Sequence, residues 1–83
     1  MPEVQLTADA AKELEELPLV IHARVLKLLE RLQRWPQVSG AKPLAGDLAG
    51  HYRLRTGDYR VQFRVERDVV IVERMGHRRR FYE

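Results

Sequence analysis

The chain has 83 residues, a formal net charge of +3, 45% hydrophobic residues and no cysteine. A chain of this length has room for one modest hydrophobic core, so we expect a single domain over residues 1–83. The lack of cysteine excludes a disulfide framework, a thiolate nucleophile and a cysteine-type zinc site.

Charge is distributed unevenly along the chain. Residues 1–50 carry six Lys or Arg and seven Asp or Glu, a net charge of −1, whereas residues 51–83 carry nine Arg, no Lys and five Asp or Glu, a net charge of +4. Arg presents a planar fork of donors that matches phosphate oxygens and also stacks on bases. This bias favours a nucleic-acid partner, although a GC-rich genome would also enrich Arg.

Other functional classes find little support. No basic segment followed by an apolar stretch opens the chain, and no run approaches the roughly 18 apolar residues of a membrane span. The spacing of His22, His51 and His77 matches no metal motif, so we expect neither a metal nor a cofactor. We therefore expect a cytoplasmic bacterial or archaeal protein with no membrane partner.

The first half of the chain reads as scaffold. Alternation over Glu3–Leu6 predicts an edge strand, and Thr7 is a suitable N-cap for a helix over residues 8–17. Pro18 suits the start of a second helix over residues 18–34, whose apolar stripe is interpreted as core. The residues of this stripe are Ile21, Val25, Leu28, Leu29, Leu32 and Trp35. Residues 37–50 are expected to form a loop.

A β-hairpin is predicted from the period-2 alternation of residues 52–56 and 59–66. If Gly57 and Asp58 form a two-residue turn, the pairs Tyr52 with Phe63 and Leu54 with Val61 share one apolar face. Arg55 then lies opposite Arg60 on the other face, and His51 lies opposite Arg64. Like charges directly opposite each other destabilise a sheet, which suggests a bound anion. Alternatively, the arginines splay into water.

A third strand is predicted to start at residues 69–72, whose four β-branched residues suggest a central strand buried on both faces. Met75, Gly76 and His77 are expected to end this strand, and residues 80–82 to form a last short one. The order is β-α-α-β-β-β. We therefore predict an α+β fold in which two N-terminal helices pack on a mainly antiparallel sheet.

The basic face could bind and cleave RNA without a metal. Such cleavage requires a base for the 2′-hydroxyl, cations for the phosphorane charge and an acid for the 5′-oxygen. Arginine cannot serve as the base, which leaves His77, His51, Tyr82 and Tyr52 as candidates for proton transfer. Phe81 or Tyr82 could stack on an unstacked base.

The sequence resembles the RelE/ParE superfamily of toxins from type II toxin-antitoxin systems, and most closely its RelE-like branch. The resemblance covers essentially the whole chain. Its signatures are the Leu/Gly segment over residues 44–48, the hairpin over residues 52–61, and Gly76-His77-Arg78 followed by Tyr82. A RelE-like fold is thus expected.

The resemblance implies a ribosome-dependent endoribonuclease that cleaves mRNA in the ribosomal A site and is silenced by a cognate antitoxin in a hetero-oligomer. By position, Arg60 matches the arginine that contacts the scissile phosphate, and Arg78 matches a second charge-stabilising arginine. Tyr82 matches the tyrosine associated with stacking and with orienting or deprotonating the 2′-hydroxyl. His77 lies beside the matched Arg78, and related toxins use a histidine near the chain end for proton transfer.

The remaining basic residues of the C-terminal part are expected to bind RNA: Arg53, Arg55, His51, Arg64, Arg79 and Arg80. Some relatives have lysine where this chain has Arg53 and Arg55, and arginine cannot act as a base in its place. Two other functions remain open. One is inhibition of DNA gyrase, as in ParE-like members, and the other is RNA or ribosome binding without catalysis.

Overall fold

The structure, a computed structural model, describes residues 1–81. The chain forms five strands and two α-helices: β1 Glu3–Leu6, α1 Ala8–Glu15, α2 Leu19–Leu32, β2 Lys42–Pro43, β3 His51–Thr56, β4 Tyr59–Glu66 and β5 Val69–His77. A short 3-10 helix over Gly46–Leu48 precedes β3, and another over Arg78–Phe81, here called the C-terminal turn, follows β5. Within the described residues, no helix is both long and apolar enough to cross a membrane.

All five strands form one sheet in the order β1-β5-β4-β3-β2. Only β1 and β5 pair in parallel; the other neighbours are antiparallel. The predicted α+β fold, with two helices on a mainly antiparallel sheet, is confirmed, and so is the position of β1 at an edge. β2 was not predicted, because its two residues carry no alternation and one of them is Pro43, which is tolerated at a sheet edge.

The predicted hairpin has the expected register. Leu54 lies opposite Val61, Tyr52 opposite Phe63 and Arg55 opposite Arg60. The backbone of Gly57 has a φ of +58°, a value that glycine adopts without steric cost and that a tight two-residue turn requires.

The core lies between the helices and one face of the sheet. Val25, Leu28 and Leu32 of α2 are buried there with the alternating apolar residues of β3, β4 and β5. Trp35 closes one end, with its ring 4.7 Å from that of Tyr52 in an edge-to-face contact. The predicted apolar stripe of the second helix is therefore core, and its burial is the main stabilising contribution.

A β-bulge changes the predicted end of β5. Gln62 pairs with Arg74 but Phe63 pairs with Val72, so Glu73 is an extra residue in β5. The prediction that the strand ends at Met75 was wrong, since the pairing continues to His77. The bulge shifts the alternation of buried and exposed residues by one position. Met75 is therefore buried in the core, although the spacing in the sequence places it out of phase with Val72.

Three other predictions were wrong in detail. Val70 and Val72 are fully buried, but Val69 and Ile71 are half-exposed, so β5 is buried on one face only. Residues 80 and 81 belong to the C-terminal turn and do not form a strand; Tyr82 lies outside the described residues. The first helix ends at Glu15 rather than at residue 17, and Pro18 caps the second helix from outside.

Thr7 joins the first helix to the bulge. Its hydroxyl oxygen accepts a hydrogen bond from the Ala10 amide at 3.1 Å, as an N-cap does, and its hydroxyl donates to the Glu73 carbonyl at 3.0 Å. The Thr7 amide also donates to the Val72 carbonyl at 3.0 Å. Thr7 therefore connects the start of α1 with the middle of β5.

We expect Thr7→Ala to lower the free energy of unfolding by about 1–2 kcal/mol, because it removes the helix cap and the bond to Glu73 together. Thr7→Ser keeps the hydroxyl and is expected to lose much less. Urea denaturation followed by circular dichroism measures both. Equal destabilisation by the two substitutions would show that the hydroxyl is not responsible.

Candidate functional site

The polar face of the sheet, opposite the helices, carries two rows of paired residues across the three central strands. One row consists of Arg53 on β3, Gln62 on β4 and Arg74 on β5. The next consists of Arg55, Arg60 and Gly76 on the same three strands. These cations come together on this face because the strand pairings align them, while alternating residues such as Leu54, Val61 and Met75 are buried on the other face.

An open pocket of about 410 Å³ lies at the β2 and β3 side of these rows. Its lining residues are Gly40, Lys42, Arg53, Arg55 and Arg60. Among the described residues that line it, four of the five are cations and none is acidic; these four cations are called the basic pocket below. Cations held this close repel each other, so an anion bound between them is stabilised.

Lys42 was missed in the sequence, where it reads as a loop residue. It enters the pocket because β2 pairs with β3 and places Lys42 opposite Arg53. Because β2 is short and its second residue is Pro43, the sequence shows no periodicity from which this pairing could be predicted.

Arg60 is the most enclosed member of the basic pocket, with 9% of its surface exposed. Its Nη1 donates to the carbonyls of Gly57 at 3.2 Å and Tyr59 at 3.4 Å, so the hairpin turn itself orients the guanidinium. Within residues 1–81, no carboxylate forms an ion pair with Arg60. A buried guanidinium without a counter-charge is costly, and an anion would remove that cost.

His51 and Arg64 lie elsewhere on the polar face and have a partner. The Glu73 carboxylate lies 2.6 Å from His51 Nδ1 and 2.9 Å from Arg64 Nη1. Partial burial alone would raise the pKa of Glu73, but the hydrogen bonds from His51, Arg64 and Gln62 outweigh it, and the pKa is lowered. The predicted register of His51 with Arg64 is confirmed, but both residues face a carboxylate rather than the basic pocket.

The C-terminal turn carries the other predicted cations, all exposed. The Arg78 amide donates to the Asp58 carbonyl at 2.7 Å, and Arg78 Nε lies 3.9 Å from the Asp58 carboxylate. Arg80 Nη2 lies 3.6 Å from the Glu13 carboxylate of α1. The Arg80 side chain crosses Gly76, where a Cβ atom would lie 3.0 Å from Arg80 Cδ. A larger residue at position 76 would therefore displace the Arg80 side chain.

The candidates for proton transfer are not brought together. His77 pairs with Tyr59, with their rings 5.4 Å apart, and Tyr59 precedes Arg60 in β4, so strand alternation directs His77 away from the Arg60 face. Tyr52 packs in the core beside Trp35 and is not available on the polar face. Tyr82 lies outside the described residues.

Phe81, a predicted base-stacking residue, is already in contact with two cations. The guanidinium carbon of Arg74 lies 4.2 Å from the centre of its ring, and that of Arg53 lies 5.1 Å away. Both distances are within the range of a cation–π interaction.

The similarity of this chain to known proteins extends over nearly its whole length. A family model described as "ParE toxin of type II toxin-antitoxin system, parDE" matches residues 4–82. Toxin RelG of Mycobacterium tuberculosis is 37% identical over 82 residues, which cover 95% of this chain and 93% of RelG.

Two solved complexes have the same fold. The toxin-antitoxin complex RelBE2 of Mycobacterium tuberculosis contains a chain with a TM-score of 0.79 and 33% identity, matched over 92% of this chain and 90% of that one. The RelB-RelE antitoxin-toxin complex of Methanococcus jannaschii gives a TM-score of 0.79 with 26% identity, over 94% of both chains.

The Glu73 cluster makes stability depend on pH. We expect Glu73→Gln to lower the free energy of unfolding at pH 7 by about 1 kcal/mol, because it removes the charge that His51 and Arg64 contact. The folded-state pKa of Glu73 lies below its unfolded-state value. The carboxylate therefore stabilises the fold above the unfolded-state pKa and loses this effect as the pH falls through the folded-state pKa.

Urea denaturation of wild type and Glu73→Gln at a series of pH values measures this effect. The two curves are expected to converge as the pH falls through the folded-state pKa of Glu73. Glu66→Gln is the matched control, since the Glu66 carboxylate also contacts Arg64 but is more exposed than that of Glu73 and is expected to contribute less. A difference between wild type and Glu73→Gln that does not shrink as the solution is acidified would contradict the assignment.

Proposed function

This chain belongs to the RelE/ParE superfamily of toxins of type II toxin-antitoxin systems, and we propose that it is a ribosome-dependent endoribonuclease that cleaves translated mRNA in the A site. The observation that carries the proposal is the basic pocket, which joins four cations and has no acidic lining residue among residues 1–81. Because the chain is related to toxins named RelG and RelE3, we take a phosphodiester as the anion that best fits this pocket.

The proposed reaction is an in-line attack of the 2′-hydroxyl oxygen on the adjacent phosphorus. A bond forms between the 2′-oxygen and phosphorus, and the bond from phosphorus to the 5′-oxygen breaks. A base takes the proton of the 2′-hydroxyl, and an acid gives a proton to the departing 5′-oxygen. The products are a 2′,3′-cyclic phosphate and a free 5′-hydroxyl. In the transition state between reactant and products, negative charge builds on the non-bridging phosphate oxygens.

Arg60 is proposed to contact the scissile phosphate. Because the Gly57 and Tyr59 carbonyls hold one side of its guanidinium, its remaining donors have a fixed direction before RNA arrives. Such preorganised charge stabilises a transition state without reorganisation during the reaction. Arg55, Arg53 and Lys42 then bind the same phosphate or its neighbours.

The C-terminal segment is proposed to supply the other groups. Arg78, fixed to the hairpin turn through Asp58, neutralises developing charge. Tyr82, outside the described residues, orients or deprotonates the 2′-hydroxyl. His77 remains the candidate for proton transfer that the resemblance implies, but its ring is directed away from the Arg60 face and its Nδ1 accepts a hydrogen bond from the Arg79 amide at 3.2 Å, so the role requires both to change when RNA binds.

The partners follow from the proposed reaction. Ribosomes and mRNA are the targets, which requires a cytoplasmic location. The complexes of Mycobacterium tuberculosis and Methanococcus jannaschii hold a toxin with its antitoxin, and we propose a cognate antitoxin for this chain as well. An acidic segment of that antitoxin would pair with the uncompensated arginines and form a toxin-antitoxin hetero-oligomer.

Gyrase inhibition is the second candidate, because the family model that matches residues 4–82 is named for ParE. A gyrase inhibitor would block DNA supercoiling and leave mRNA intact. A third possibility, an RNA-binding or ribosome-binding module without catalysis, would inhibit translation without new RNA ends.

We expect Arg60→Ala to reduce the cleavage rate at least about 100-fold, because it removes a preorganised charge at the scissile phosphate. Primer extension on a defined mRNA in a purified translation system, with and without ribosomes, measures the cuts. Lys27→Ala is the matched control, since Lys27 is an exposed cation of α2 on the opposite side of the sheet. Arg60→Lys, which keeps the charge, separates loss of function from loss of folding.

Cleavage that persists in Arg60→Ala would contradict the assignment of Arg60. An absence of cuts by the wild type, with or without ribosomes, would contradict the nuclease. A supercoiling assay with purified gyrase then tests the ParE-like function.

We expect His77→Ala to lower the single-turnover cleavage rate by about 10²-fold or more if His77 transfers a proton. Unchanged cleavage by His77→Ala would exclude His77 and leave Tyr82 as the candidate for proton transfer.

A further inference from the structure

The ring of Phe81 lies over the middle of the row formed by Arg53, Gln62 and Arg74. Two strand spacings of about 4.8 Å each separate the backbone of Arg53 from that of Arg74. The ring bridges this gap, 5.1 Å from the guanidinium of Arg53 and 4.2 Å from that of Arg74. Gln62, between the two arginines, is only 6% exposed. The C-terminal turn therefore folds back over the polar face.

Arg53 needs such a contact because its surroundings are unfavourable. It lines the basic pocket with Lys42, Arg55 and Arg60, and their charges repel its guanidinium while no anion is bound. Its Nε is buried and has no hydrogen-bond partner among the described residues. The face of an aromatic ring attracts a cation, so Phe81 offsets part of this repulsion.

Arg74 fixes the ring on its other side. Its guanidinium contacts Phe81 and at the same time donates from Nη2 to the Arg80 carbonyl at 2.7 Å. Arg80 in turn reaches the Glu13 carboxylate of α1 at 3.6 Å. The turn thus has two side-chain anchors that do not depend on the contact between Phe81 and Arg53.

We propose that Phe81 is a positioning residue that holds the Arg53 guanidinium at the wall of the basic pocket, ready to bind a phosphate, and that Arg74 holds Phe81 in place for this purpose. The inference deepens the proposed function and rests on it in one respect, namely that the phosphate belongs to RNA. The position of Arg53 and the affinity of the pocket for phosphate can be measured without RNA.

The first test observes Arg53 directly by NMR of the arginine Nε–Hε groups in the full chain. In the wild type, the ring of Phe81 should shift the Arg53 Hε signal through its ring current. Phe81→Leu should abolish this shift, because it keeps apolar volume and removes the ring, whereas Phe81→Tyr should retain it. An Arg53 Hε signal that is the same in wild type and Phe81→Leu would overturn the proposal.

The second test is a titration with inorganic phosphate, followed by the same signals. We expect Phe81→Leu to bind phosphate about three- to tenfold more weakly than wild type, and Arg74→Gln to reproduce part of this loss. In an Arg53→Ala background, Phe81→Leu should cause no further loss. Equal losses in both backgrounds would show that Phe81 acts on the fold in general, and would overturn the proposal.

Primer extension with the same variants separates this inference from the proposed nuclease. Phosphate binding that depends on Phe81, in a protein that cuts no RNA, would support the inference and contradict the nuclease. Normal phosphate binding and normal cleavage by Phe81→Leu would contradict the inference and support the nuclease.

Discussion

The β-bulge at Glu73 keeps the buried apolar residues of β5 on the core face of the sheet and its charged residues on the polar face. Below it, Val70 and Val72 face the helices; above it, Met75 does so, although the spacing is odd. Without the extra residue, Met75 would face solvent and Arg74 would face the core, a far costlier arrangement. The same residue supplies the carbonyl that Thr7 binds, so the start of α1 is fixed to this point as well.

Charge compensation then divides the polar face into two regions. Glu73 neutralises Arg64 and makes a hydrogen bond with His51 near the bulge, and these bonds lower the pKa of Glu73. The basic pocket lies on the same face, but no carboxylate lines it in the part of the chain that the structure describes. A chain with a moderate overall charge therefore concentrates positive potential in one place, which favours the approach of polyanions.

The sequence predicted those parts of the structure that depend on local contacts. The register of β3 with β4 follows from alternation and a two-residue turn, so the opposition of Arg55 and Arg60 was correct. The bulge was not predictable, because it shows only as a change of phase between Val72 and Met75. Two contacts could not be predicted, because they depend on strand pairings that the spacing of residues in the sequence does not reveal. These are the contact of Glu73 with His51 and the position of Lys42 in the pocket. The prediction that β5 is buried on both faces was wrong, because β-branched residues also suit strands that are buried on one face only.

The basic pocket is built entirely from residues 40–60, a single continuous stretch of chain. Closing a hairpin of this length costs little chain entropy, whereas β1 pairs with β5 across nearly the whole sequence. The order of folding should follow this difference, with the pocket's backbone formed early and the parallel pair late. Substitutions in β1 would then change the stability of the molecule while leaving the geometry of its cation cluster intact.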